Sequence, residues 1–188
     1  RYSVADRRNG RALVDGRAAR ALVGRASVSD DNEAAPIVKD GVMYVTSGND
    51  DVFALDAKTG ALIWEHKSGL DQAINTVCCG WDNRGVAVGD GKIFLGRLDG
   101  NFEALDAKTG SRVWQSKIGN WQDGYTITSA PTYYKGVVYT GVSGGDRSAR
   151  GKLTAFDAKT GKELWHFWTA AGPGEKGGDT WPSPNDPD

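Results

Sequence analysis

The chain has 188 residues, which favours one ordinary domain. Its formal net charge of −1 argues against a partner that is recognised by charge, such as nucleic acid or an anionic membrane, and the chain has no apolar run long enough to span a bilayer. The 26 glycines and seven tryptophans instead predict many short strands joined by tight turns.

The first 29 residues are interpreted as a divergent N-terminal segment. They open with Arg1, no signal peptide is recognisable, and residues 6–25 are rich in Arg, Ala and Gly without strand alternation. Two explanations stay open for this stretch: a reading-frame slip in a GC-rich gene, or an outer segment that has diverged.

The following residues repeat themselves. Residues 54–64, 104–114 and 155–165 share the pattern A-[LF]-D-A-K-T-G-x-x-x-W at offsets of 50 and 51 residues. A turn glycine and a β-rich run precede each copy, at 40–45, 90–95 and 135–140. With a further strand from segments such as 83–89 and 127–134, each unit has four strands, and this number and period are typical of a propeller blade.

Each repeat predicts the same local structure. Its aspartate accepts backbone hydrogen bonds, its glycine adopts positive φ, and its tryptophan packs between blades. The residues are Asp56, Gly60 and Trp64; Asp106, Gly110 and Trp114; and Asp157, Gly161 and Trp165.

The predicted fold class is therefore all-β, a partial β-propeller of about three to four blades. Residues 30–170 are assigned to the blades and 171–188 to a loop and truncated tail. Because propellers typically use 4–8 blades, we expect the chain to be part of a longer protein or to assemble.

Two loops depart from the repeat. Residues 76–85 contain a surplus of five residues and residues 141–151 a surplus of six. Both loops are polar and glycine-rich, and they are either tolerated surface loops or the carriers of function.

Cys78 and Cys79 are adjacent in the first of these loops. They are either two reduced cysteines or part of a disulfide, and because the sequence has no other cysteine, that disulfide would be a strained vicinal bridge or an intermolecular one. The two cysteines and the distant His66 and His166 lack metal-ligand spacing, and no C-x-x-C-H haem motif is present.

Three features together resemble the quinoprotein alcohol dehydrogenases, which include methanol dehydrogenase. They are the Trp-containing repeat, C-C-x-x-x-N-R-G, and S-G-G-D-x-x-x-R-G, and the resemblance covers about residues 30–181. It implies part of an eight-bladed propeller that holds pyrroloquinoline quinone (PQQ) and a metal ion on its pseudo-axis. The repeat alone would also fit non-enzymatic PQQ-like repeat proteins.

The resemblance implies the first part of a cofactor site. Cys78 and Cys79 match a vicinal disulfide that stacks on one face of PQQ. Arg84 matches an arginine that pairs with cofactor oxygens, for which a guanidinium is well suited. Glu33, in N-E-A-A-P, matches a glutamate that contacts the cofactor.

The same resemblance implies further contacts around the second loop. Thr128 and Ser143 match hydroxyl donors to the PQQ carboxylates, and Gly144 and Gly145 match positions where the backbone approaches the cofactor. Asp146 matches a metal ligand that is usually glutamate in the family, so it places its carboxylate one methylene shorter.

The implied activity is oxidation of a primary alcohol to an aldehyde in the periplasm, with electrons passed to cytochrome c. PQQ and Ca²⁺ or a lanthanide are the implied cofactors. The implied partners are a small alcohol, cytochrome c and the remaining blades, with no nucleic acid. The family's catalytic base lies in later blades, so no catalytic residue is assigned. A non-catalytic propeller scaffold and an inactive fragment are the alternatives.

Overall fold

The computed structural model describes residues 33–75, 77 and 80–180, and in these ranges it contains three four-stranded antiparallel sheets. Each sheet is a meander in which sequential strands pair, as expected for a propeller blade. Blade 1 comprises β1 (Ile37–Lys39), β2 (Val42–Thr46), β3 (Val52–Asp56) and β4 (Leu62–His66). Blade 2 comprises β5 (Ala87–Gly89), β6 (Lys92–Gly96), β7 (Asn101–Asp106) and β8 (Arg112–Lys117). Blade 3 comprises β9 (Thr132–Tyr134), β10 (Val137–Gly141), β11 (Lys152–Asp157) and β12 (Glu163–Trp168).

A two-residue turn joins the first two strands of every blade. In blade 1 the turn is Asp40 and Gly41, with φ of 52° and 81°, and Lys39 pairs with Val42 across it. Positive φ at both central residues is the type I′ geometry, which matches the twist of a β-hairpin. The equivalent turns of blades 2 and 3 have positive φ at both positions too.

The D-A-K-T-G turns form as predicted. The Asp106 carboxylate accepts hydrogen bonds from the backbone N–H groups of Lys108 and Thr109, both at 2.9 Å, and Gly110 has φ of 72°. These hydrogen bonds hold the pKa of Asp106 below its usual range. The other two copies repeat the same contacts.

Two of the motif tryptophans, Trp64 and Trp114, connect neighbouring blades, which confirms their predicted structural role. Trp165 is 47% exposed, and its packing between blades stays a prediction. The Trp64 indole N–H donates to Ala107 O at 3.1 Å, and the Trp114 indole N–H donates to Ala158 O at 3.1 Å. The ring of Trp64 also covers Gly110, where an ideal Cβ would lie 2.6 Å from the ring. Gly110 is therefore required for both its φ and its contact with the next blade.

Polar contacts reinforce the interface between blades 1 and 2. The His66 ring lies 3.1 Å from Gly110 O through Nδ1 and 3.3 Å from the buried Glu103 carboxylate through Nε2. Glu103 also lies 3.3 Å from the Arg97 guanidinium. His66 thus contributes polar contacts to the interface between blades 1 and 2.

The core lies between the blades. Phe94, Phe102, Phe156 and Ile127 are fully buried between blades 2 and 3.

In a meander, all connections that follow even-numbered strands lie at one end of the blade and all others at the opposite end. The two irregular loops follow β4 and β10, so they share one end with the β8–β9 connection. The repeated D-A-K-T-G turns lie at the opposite end. Within the described residues, no helix has the length and apolar character that a membrane crossing needs.

Candidate functional site

The two irregular loops meet at the end of the blades opposite the repeated turns. The Arg147 guanidinium donates to Asn75 O at 3.4 Å, which connects the second loop to the residue preceding the first. A small apolar cluster supports the first loop from below; its buried members are Leu70, Ile74, Val77 and Leu98. The two segments that break the repeat therefore form one surface.

Arg84 lies at the centre of this surface. Its guanidinium contacts the Glu33 and Asp82 carboxylates, both at 2.9 Å, and donates to Thr128 Oγ1 at 3.0 Å. About half of the Arg84 side chain remains exposed, at 49%. Arg84 thus has polar contacts inside the protein and guanidinium surface left for a ligand.

Thr128 and Ser143 extend the polar group around Arg84. Their hydroxyl oxygens lie 3.1 Å apart, and the Ser143 backbone N–H donates to Thr126 O at 2.8 Å. The β8–β9 connection and the second irregular loop are therefore joined by an isolated bridge between Thr126 and Ser143. Both hydroxyl groups are only partly buried.

The backbone of Arg84 is fixed from two sides. Its N–H donates to Thr128 O at 2.9 Å, and its carbonyl accepts from Ala35 N–H at 3.3 Å. Three separate segments of the chain thus meet at Arg84. Glu33, Arg84, Thr128 and Ser143, which the resemblance selected, form one continuous group of contacts.

The two selected glycines have different surroundings. Gly144 has φ of 105°, and a Cβ there would lie 1.9 Å from Gly124 O, so close backbone packing already requires a glycine. A Cβ on Gly145 would meet no atom of the described residues within 4 Å. Approach to a cofactor stays a prediction for both.

Asp146 is exposed in the short 3₁₀ turn Gly145–Arg147. Across residues 33–75, 77 and 80–180, no three His, Cys, Asp or Glu side chains are grouped so that they could hold a metal ion. The role of Asp146 as a metal ligand stays a prediction. Cys78 and Cys79 lie outside the described residues, so their predicted stacking role stays a prediction.

Two buried residues beneath Arg84 were missed by the sequence interpretation. Asn83 is 2% exposed and Asp50 is fully buried, and the Asn83 amide donates to Asp50 Oδ1 at 2.7 Å. Burial raises the pKa of Asp50 to about 8, against the hydrogen bonds from Asn83 and Leu98 that lower it. A signal for Asp50 was available, because the other two repeats have glycine at its position.

Comparisons with known proteins identify the family to which the chain belongs. The family model of the PQQ β-propeller domain of glucose, ethanol and alcohol dehydrogenases matches residues 17–187. The chain belongs to this PQQ β-propeller family. The resemblance drawn from the repeat and loop motifs, and the all-β partial propeller predicted with it, are thereby confirmed.

Several relatives in this family are alcohol dehydrogenases. Quinohemoprotein alcohol dehydrogenase ADH-IIG of Pseudomonas putida is 47% identical over 142 residues, which cover 74% of this chain and 20% of the relative. Quinohemoprotein alcohol dehydrogenase of Comamonas testosteroni is 41% identical over 142 residues, again 74% of this chain and 20% of the relative. The chain therefore spans about a fifth of the length of these relatives.

Solved structures of family members have the same fold over this region. The ADH-IIG structure aligns with a TM-score of 0.73 over 76% of this chain and 21% of that protein, at 47% identity. A europium-containing methanol dehydrogenase aligns with a TM-score of 0.71 over 75% of this chain and 25% of that protein, at 39% identity.

The donor groups of this surface fit one part of PQQ. Arg84 offers a guanidinium, and Thr128 and Ser143 offer two hydroxyls that can donate hydrogen bonds. Such groups suit a tricarboxylate with an ortho-quinone, because charge-assisted hydrogen bonds to carboxylates are strong. Among the described residues, no atom lies within 4 Å of a Cβ built on Gly145.

Proposed function

We propose that this chain supplies part of the PQQ site of a quinoprotein alcohol dehydrogenase. The observation that carries the proposal is the contact group of Arg84, Thr128 and Ser143, which brings a half-exposed guanidinium and two hydroxyls together where the irregular loops meet. Arg84 and the hydroxyls bind the cofactor's oxygens, and Glu33 holds the guanidinium in place through its 2.9 Å contact.

PQQ, when bound, supplies the quinone that accepts a hydride equivalent from the alcohol. The residues of this chain bind and orient it. Cys78 and Cys79, which lie outside the described residues, would help to hold it through the vicinal disulfide that the resemblance implies. Gly145 leaves room for the cofactor's edge, since nothing approaches its Cβ position.

The complete protein oxidises a primary alcohol to an aldehyde and passes electrons to cytochrome c. Its relatives with quinohemoprotein names support an alcohol substrate and a cytochrome-type acceptor. The periplasm is its proposed location, because the resemblance implies it and a Cys78–Cys79 disulfide, if formed, would persist in an oxidising compartment. The residues described here carry no assigned catalytic base, so the chemical step belongs to the remaining blades.

Asp146 is one carboxylate ligand for Ca²⁺ or a lanthanide in this proposal, in keeping with the europium in the methanol dehydrogenase relative. The described residues offer no group of further ligands around it. No further ligand and no step of the reaction is assigned to the metal.

The direct test is a PQQ titration of the protein that contains this chain, at its native length, with quinone absorbance as the signal. Arg84→Ala removes charge-assisted hydrogen bonds, so we expect affinity to fall about 10- to 100-fold. Arg112→Ala is the matched control, because Arg112 is similarly exposed, at 52% against 49%, but lies on β8 away from the loops. Equal affinities for the two variants, or no binding by the parent, would refute the proposal.

An intact-mass measurement and a PQQ titration after thiol reduction together distinguish a Cys78–Cys79 disulfide from two reduced cysteines. A vicinal disulfide makes the unreduced protein lighter by two hydrogens in an intact-mass measurement, and thiol reduction then weakens PQQ binding. Reduced cysteines together with absent PQQ binding would favour the alternative, a propeller-repeat scaffold without catalysis.

A further inference from the structure

The backbone on both sides of Arg84 is held by the side chain of a buried amide. Asn83 Nδ2 donates to Asp50 Oδ1 at 2.7 Å and to Gly96 O at 2.9 Å. Its Oδ1 accepts from Gly85 N–H at 2.9 Å, so the residue after Arg84 is bound to the side chain of the residue before it. Buried polar groups whose hydrogen bonds are all made fix a single geometry.

Asp50 anchors this amide in a different blade. It lies in the β2–β3 turn of blade 1, is fully buried, and accepts from the Leu98 N–H of blade 2 at 2.7 Å. Its φ is 64°, a left-handed conformation that favours glycine. Four residues before the motif alanine, where unit one has Asp50, unit two has Gly100 in the same left-handed conformation, with a φ of 77°. Asp50 adopts this conformation although it is not glycine, and its buried carboxylate is bound to both Asn83 and Leu98.

Neither side chain reaches the surface on which Arg84 lies. Asn83 and Asp50 are 2% and 0% exposed, whereas the Arg84 side chain is half exposed. Thr46 completes the group, because its buried hydroxyl donates to Asn83 Oδ1 at 3.2 Å. Any effect of this group on a ligand must therefore pass through the backbone of residues 83–85.

We propose that Asp50 and Asn83 are positioning residues for Arg84, an inference that rests on the proposed function. Asp50 orients the Asn83 amide, and the amide fixes residues 83–85. The guanidinium is thereby presented toward Thr128 and the ligand before binding. Outer groups of this kind typically alter ligand affinity about 10- to 100-fold at metal sites, and we expect an effect of that order here.

The first readout is hydrogen exchange of the protein without PQQ. In Asn83→Ala the Gly85 amide loses its acceptor, and the Arg84 amide, which donates to Thr128 O, loses its fixed geometry. We expect both amides to exchange at least about tenfold faster. Ser116→Ala is the control: it removes a hydrogen bond to Gly161 O between blades 2 and 3, and it leaves both amides unchanged.

The second readout is a double-mutant cycle on PQQ affinity. If Asn83 acts through Arg84, Asn83→Ala weakens binding about 10-fold or more in the parent and less than about threefold in an Arg84→Ala background. A residue that only stabilises the fold would weaken binding equally in both. Thr46→Val, which removes one buried hydroxyl with little change of shape, gives a milder version of the same test if Asn83→Ala does not fold.

The outcomes separate the two proposals. Faster exchange at Gly85 and Arg84 together with a non-additive cycle supports the positioning role. Unchanged exchange, or an additive cycle, overturns it. A parent that binds no PQQ refutes the proposed function, and the exchange experiment then still decides whether Asn83 fixes Arg84.

Discussion

The two ends of the three blades differ in how closely they repeat one another. At one end, every blade has the same D-A-K-T-G turn, and Trp64 and Trp114 make the same 3.1 Å hydrogen bond to the next blade. At the other end, the loops differ in length and sequence, and Arg84 lies where they meet. Repeated residues hold the blades together, whereas the residues that break the repeat form the candidate site.

The largest expected effect tests the repeated end. Trp114→Ala removes a ring packed against blade 3, and we expect it to lower the free energy of unfolding by about 3–5 kcal/mol. Trp165→Ala is the matched change, since Trp165 occupies the same motif position but is 47% exposed. In the 188-residue chain, urea unfolding is expected to show a much smaller loss for Trp165→Ala. Equal losses would contradict the interface role.

Substitutions at the adjacent Gly144 and Gly145 test how the second irregular loop packs at the opposite end of the blades. Gly144→Ala places a Cβ 1.9 Å from Gly124 O at a φ of 105°, so we expect a loss of about 2–4 kcal/mol or a displaced loop. Gly145→Ala meets nothing within 4 Å and should change stability by less than about 0.5 kcal/mol. For both variants, thermal unfolding measures the change in stability and a PQQ titration measures the change in affinity. A harmless Gly144→Ala would mean that the loop is not packed as described.

A smaller effect is expected from the hydrogen bond between blades 2 and 3. Ser116→Ala removes the 2.5 Å contact to Gly161 O and should lower the free energy of unfolding by about 1 kcal/mol, with PQQ affinity unchanged. Denaturant unfolding and a PQQ titration measure the two quantities separately. A fall in affinity without a fall in stability would mean that the two ends are not independent.

A separate prediction concerns the dependence of stability on pH. Burial raises the pKa of Asp50 from 3.8 to about 8, so the stability that its protonated form contributes is full below about pH 4 and is lost as pH rises through about 8. Asp50→Asn should flatten this decline in urea unfolding between about pH 5 and pH 9. Asp56→Asn should leave the decline in place, because the pKa of Asp56 is lowered and its contribution is lost only in acid. An unchanged slope in Asp50→Asn would contradict the assignment.

The repeated end could be predicted from the sequence because its physics is local. An aspartate, a glycine and a tryptophan at fixed spacing define a turn and a ring position, and the structure places Asp106, Gly110 and Trp114 as expected. The resemblance likewise selected Arg84, Thr128 and Ser143. Their mutual contacts required the fold, since 44 residues separate Arg84 from Thr128.

The supporting residues could not be predicted from local pattern. Asn83 lies inside the N-R-G motif, yet nothing in the sequence shows that its amide is buried or that it pairs with Asp50, 33 residues away. Gly144 was selected for approach to a cofactor, and the structure shows a second reason in the Gly124 carbonyl. In both cases the contacts that explain the residue lie between distant segments of the chain. The one hint in the sequence is that Asp50 stands where the other two repeats have glycine.

The most direct test of the account is a crystal structure of the protein that contains this chain, at its native length, grown with PQQ. The account predicts carboxylate or quinone oxygens of PQQ within hydrogen-bonding distance of the Arg84 guanidinium and of the Thr128 and Ser143 hydroxyls, with Asn83 and Asp50 in contact beneath. PQQ bound elsewhere, or absent from this loop end at saturating concentration, would contradict it.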